Sequence, residues 1–124
     1  MEEPRLFDIN EVKWDKWAEG VNACVFKPSK NATVQYWEIA PGCGGAPHTH
    51  EAEQLIYIQE GYLDVTVDGK TYDLGPGCFC LVPSGAVHST LNTGKVMCVN
   101  IDIFMPERDD RTESIKDCDR GHNW

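Results

Sequence analysis

The chain has 124 residues, 41% apolar and 25% charged, which predicts one globular domain able to bury its own core. Its formal net charge of -9 argues against a nucleic-acid or anionic-membrane surface, which clustered Lys and Arg would supply. A small anionic ligand stays open, because a metal ion or one well-placed arginine reverses the field locally.

The first twelve residues are acidic and carry no hydrophobic signal core, and no apolar run approaches the ~20 residues of a membrane span, so a cytoplasmic address is expected. Residues 10 to 19 predict one or two helical turns, with Asn10 as the N-cap. Short strands follow at 21–26 and 33–39, the second closed by Pro41-Gly42. Further strands are expected at 54–58, 62–67, 70–74, 78–82, 88–91 and 96–104. Asp68-Gly69 is the clearest hairpin signal, since a type I′ turn needs positive φ at both central residues. So many short strands in one domain predict an all-β sandwich or barrel. The domain is expected to span residues 1–106, its N-terminal strand included. Residues 107–124 read as a charged surface tail, with Ile115 and Trp124 as anchor candidates.

The six cysteines, at 24, 43, 78, 80, 98 and 118, show no CxxC spacing and read as free thiols. Cys43 stands out only because it precedes a histidine cluster. His48 and His50 differ by two, so on an extended chain they point the same way. Gln54 opens the next strand and reaches that face after a short bend. His88 follows a turn-to-strand junction like the one before His48. If the strands close into a barrel, His48, His50, Gln54 and His88 meet inside it and can hold a metal. Three buried imidazoles without a partner would be costly, which favours this reading over three unrelated core histidines. Glu53 is an alternative fourth ligand, and His122 reads as a bystander in the tail.

The spacing carries a resemblance. Gly42, five residues, His48-Thr49-His50, three residues, Gln54, six residues and Gly61 resemble the first cupin motif. Gly77, five residues, Pro83-Ser84-Gly85, two residues, His88, three residues and Asn92 resemble the second. The resemblance implies a double-stranded β-helix, or jelly roll, with one divalent metal on His48, His50, Gln54 and His88. Gln54 departs from the usual glutamate. A neutral amide leaves the ion its whole charge, so it polarises a bound oxygen more strongly and attracts anions better. Imidazole suits zinc, nickel, copper and iron, and manganese is a further candidate; the sequence does not choose among them.

Residues 101–109 contain Asp102, Phe104, Pro106 and Arg108 in a D-x-F-x-P-x-R pattern. Asn100, Asp102 and Phe104 share one strand face; Val99, Ile101 and Ile103 share the other. Alternation alone allows the Asp102 face to be the wet outside of the sheet or the mouth of the barrel. The ligand set with this terminal pattern resembles the KdgF-type cupins of pectin and alginate breakdown, which convert 4,5-unsaturated monouronates to 5-keto-4-deoxyuronates. That resemblance implies a proton shuttle at Asp102, a carboxylate-binding Arg108 and a wall formed by Phe104. A non-haem metal dioxygenase and a small-molecule-binding cupin without turnover are the alternative functions. A homodimer is expected, with Phe7, Trp14 and Trp17 suited to its interface.

Overall fold

In the computed structural model, residues 3–11 and 14–111 are described. His122, Cys118, Ile115 and Trp124, and with them most of the expected tail, lie outside the described residues. Among the described residues, ten strands form two antiparallel sheets. They are β1 (Asp15–Ala18), β2 (Val21–Ser29), β3 (Ala32–Ile39), β4 (Gly44–His48), β5 (Glu53–Glu60), β6 (Leu63–Val67), β7 (Lys70–Leu74), β8 (Phe79–Val82), β9 (His88–Leu91) and β10 (Cys98–Met105). The six-stranded sheet runs β1-β2-β3-β10-β5-β8, and the four-stranded sheet runs β4-β9-β6-β7. The C-terminal β10 lies between β3 and β5, with Asp102 opposite Gln35 on one side and Ile56 on the other. This is the jelly-roll arrangement the sequence predicts.

Among the described residues of 10–19, no helix forms. Asp8 Oδ1 accepts from the backbone N–H of Asn10 at 2.9 Å, which spends the first turn on a local cap. Residues 15–18 then pair with β2 as a strand. A two-turn helix would be marginal alone, whereas the strand gains a ladder and places Trp17 edge-on to Trp37 at 5.0 Å. Phe7 stacks on Phe26 at 4.6 Å and Trp14 meets Tyr36 edge-on at 5.9 Å. All three aromatics expected at an interface thus have partners within the chain.

The Asp68-Gly69 hairpin has the expected geometry. Both residues have positive φ, 47° and 85°, and Val67 pairs with Lys70 across a two-residue loop. Asp68 does more than turn the chain: its N–H donates to Val87 O and its Oδ1 accepts from Val87 N. The hairpin is thereby tied to the turn that delivers His88.

The inner faces pack a core of Val21, Ile39, Ile56, Ile58, Leu63, Val65, Leu74, Val82, Ala86 and Cys98. Each fully buried aliphatic side chain contributes about 1.5–3 kcal/mol. Cys24, Cys43, Cys78, Cys80 and Cys98 are free thiols. Cys43 packs against this core and donates to Glu19 O, turned away from the histidines. Gly44 is required where β4 meets β9: a Cβ there would lie 2.0 Å from the Thr90 carbonyl oxygen.

Candidate metal centre

His48 ends β4, His88 opens β9, and the two are paired across the ladder. His50 sits in the connection to β5. The ring centroids lie 4.2 Å (His48–His88), 4.8 Å (His50–His88) and 5.6 Å (His48–His50) apart. One nitrogen from each imidazole falls within 4.8 Å of the other two.

Each ring is aimed by its own backbone. His48 Nδ1 lies 2.8 Å from Ala46 O, His50 Nδ1 2.7 Å from Ala52 O, and His88 Nδ1 2.9 Å from Ala86 O. A carbonyl only accepts, so each Nδ1 carries the proton and each Nε2 presents a lone pair. His88 Nε2 is buried and makes no hydrogen bond among the described residues. Desolvation pushes the His50 and His88 rings below the ordinary histidine range, which keeps them neutral. Three converging lone pairs, each oriented through its opposite nitrogen, form a donor set suited to a transition-metal ion.

Gln54, at the start of β5, is buried, and its Oε1 lies 3.1 Å from His50 Nε2. That places an acceptor against a lone pair, a contact a cation between them would reconcile. Glu53 is exposed and one residue out of phase, so it faces away from the histidines.

The Asp102 face is the inner one: Asn100, Asp102 and Phe104 are buried while Val99, Ile101 and Ile103 are half-buried on the other side. Asp102 Oδ2 accepts from Trp37 Nε1 at 2.9 Å, and Oδ1 from Asn100 Nδ2 at 3.0 Å. Gln54 also donates to this carboxylate. The amide is therefore polarised by its neighbours, nitrogen toward Asp102 and oxygen toward the imidazoles. Burial nevertheless pushes the Asp102 carboxyl up to about 7, against the lowering effect of these donors.

A cavity of about 290 Å³ opens over this face. Its wall includes His48, His88, Gln54, Asp102, Phe104 and Trp37. Trp17 and Arg111 stand there as well, two residues that sequence reasoning did not place in the site. Arg108, expected to face the ligand, stacks over the Phe104 ring at 4.8 Å and grips Asp110 through Nε (2.9 Å) and Nη2 (2.6 Å). It lies beside the cavity, close enough to act electrostatically on His50 and His88.

Residues 35–104 match the Cupin_2 family, a cupin domain. The chain belongs to the cupin family. Among solved structures, this cupin is similar to KdgF from Halomonas sp., with 27% identity and a TM-score of 0.77 over 84% of this chain and 94% of that one. It also shares its fold with an RmlC-like cupin from Shewanella frigidimarina, at 23% identity and a TM-score of 0.76 over 83% of this chain and 91% of the other. Among curated proteins it is 28% identical over 96 residues to "Polyketide synthase CurC" of Streptomyces cyaneus. That match covers 73% of this chain and 62% of the relative's length. Among the described residues, no helix is long and apolar enough to cross a membrane.

Proposed function

We propose that this cupin is a metal-dependent enzyme that opens a 4,5-unsaturated uronate to a 5-keto-4-deoxyuronate. The observation that carries the reading is one cavity lined by two of the three histidines that could hold a metal ion, the buried acid Asp102 and the amide Gln54 between them. The structural similarity to KdgF supports it.

The reaction is an isomerisation without net redox change. The anomeric hydroxyl loses its proton, the bond from C1 to the ring oxygen breaks, and C4 gains a proton as the C5 ketone forms. His48, His50, His88 and Gln54 Oε1 would hold the ion, which supplies Lewis acidity to the substrate's oxygens. Asp102 would take the hydroxyl proton and return one at C4. Trp37 and Asn100 fix its carboxylate, so it meets the ring in one orientation. Phe104 supplies the flat wall beneath, held edge-on by His50 at 5.5 Å. Arg108, whose buried Nη1 has no partner among the described residues, adds positive potential beside the carboxylate-bearing end.

The test is turnover by the metal-loaded chain of a 4,5-unsaturated galacturonate, read as loss of the conjugated acid's ultraviolet absorbance and by NMR of the product. Metal-dependent loss supports the reading. Oxygen uptake with added iron(II), and no loss of absorbance, would replace it with dioxygenase chemistry.

A further inference from the structure

The residue that meets the cavity from the C-terminal side is Arg111, three positions beyond the arginine the sequence singles out. Its side chain is 15% exposed and lines the wall with Trp17, Trp37, Asp102 and Phe104. It is held at several points. Nε donates to Oε1 of the fully buried Gln35 at 3.1 Å, and Nη1 donates to Asp110 Oδ2 at 3.1 Å. The guanidinium carbon lies 5.1 Å from the Trp17 ring centroid and 5.8 Å from that of Phe104. Such a fork is aimed before any ligand arrives.

The charges around it do not balance. Among the described residues, Arg108 and Arg111 share the acid Asp110, and the buried Asp102 carboxyl is the only other acid that acts on Arg111. Arg108 takes both Asp110 oxygens, while Arg111 makes a single bond to one of them. Asp110 is thus committed mainly to Arg108, and Arg111 meets the cavity with a single bond to that acid. Desolvation and the neighbouring Arg108 charge depress the Arg111 pKa, against the raising effect of Asp110 and Asp102. Gln35 Nε2 and Arg108 Nη1, behind the cavity wall, are buried donors without acceptors among the described residues. A pre-oriented guanidinium presented on the cavity wall suits an anion with paired acceptor oxygens.

We propose that Arg111 binds the carboxylate of the ligand, with the ligand's ring lying against Trp17 and Trp37. This deepens the uronate reading and rests on it. Arg111 is a specificity-determining residue that selects a ring acid over its uncharged counterpart. The strand β1 matters here, because it brings Trp17 to the wall.

The experiment titrates the metal-loaded full chain with glucuronate and with its methyl ester, read by calorimetry and tryptophan fluorescence. The wild type should bind the free acid at least about tenfold more tightly than the ester, the worth of one charge-assisted pair. Arg111→Gln should bring the two to parity while metal stoichiometry stays unchanged, with a lowered thermal midpoint where Gln35 Oε1 loses its donor. Equal binding of acid and ester by the wild type, binding of neither, or an undiminished preference in Arg111→Gln would overturn the assignment. If Arg111→Gln does not fold, Arg111→Lys decides. It keeps the charge and loses the fork, so a preference reduced by about threefold or more supports the assignment and an unchanged one overturns it. Absence of turnover on unsaturated uronates, with the acid preference present and lost in Arg111→Gln, would sink the proposed reaction and leave Arg111's role standing.

Discussion

The two faces of the sheet formed by β3, β10 and β5 reverse the usual order. Inside lie Gln35, Trp37, Asn100, Asp102 and Gln54, four of them buried and polar. Outside lie Val34, Tyr36, Leu55, Tyr57, Ile101 and Ile103, apolar and only half-buried. A sheet built for stability alone would put the second set inward. The reversal is local: deeper in the same barrel, Ile56, Ile58 and Cys98 form an ordinary core. Polar groups occupy the interior only where they surround the cavity and can satisfy one another, so that part of the barrel is shaped by chemistry at a cost in stability.

The inner face is where small changes should have large effects. Asp102→Asn keeps the shape and removes the exchangeable proton, so turnover of an unsaturated uronate should fall about 10²- to 10⁴-fold with metal content unchanged. Normal turnover in that variant would remove Asp102 from the mechanism. Gln54→Glu is the sharper probe. It restores an acid against the imidazoles but sets a second carboxylate against Asp102, where a donor now sits. Metal should bind more tightly and turnover should fall on the order of tenfold, as two acids compete for one proton and the ion loses part of its charge. Higher turnover would show that the amide is not what tunes the ion. On the outer face the expected effect is small. Phe79 is 64% exposed and touches Tyr57 with ring centroids 4.6 Å apart. Phe79→Ser should shift stability by no more than about 0.5 kcal/mol, with metal affinity and turnover unaltered. A larger change by thermal or denaturant unfolding would mean that the outer face is more than a boundary.

What the sequence reveals of this site follows from distance along the chain. His48, His50 and Gln54 sit within seven positions, and His88 is framed by Pro83 and Gly85 at fixed spacing, so the four groups of the candidate metal centre are readable as motifs. The Asp68-Gly69 hairpin is equally local. The inward turn of Asp102 is not, because alternation permits either face and only the pairing of β10 between β3 and β5 decides it. Trp37 and Gln35 join the site through that same register, with Gln35 opposite Asp102. Arg111 is further still from any local signal: it reaches the wall because residues after β10 fold back, Arg108 N donating to Thr33 Oγ1 at 2.8 Å. Residues 10–19 mislead for the opposite reason. Their local pattern suits a helix, but the open edge of β2 offers a ladder worth more than two isolated turns.

The most direct test of the account is a titration of metal-stripped protein with zinc and with nickel. Uptake is read by calorimetry, and the imidazoles are followed by NMR. One ion per chain should bind, shifting the resonances of His48, His50 and His88 together and raising the thermal midpoint, by about 2.7 kcal/mol of stabilisation at a hundredfold excess over Kd. His88→Ala should weaken that uptake by about 100-fold or more. No uptake by the wild type, or equal uptake by His88→Ala, would contradict a metal centre built on these three rings.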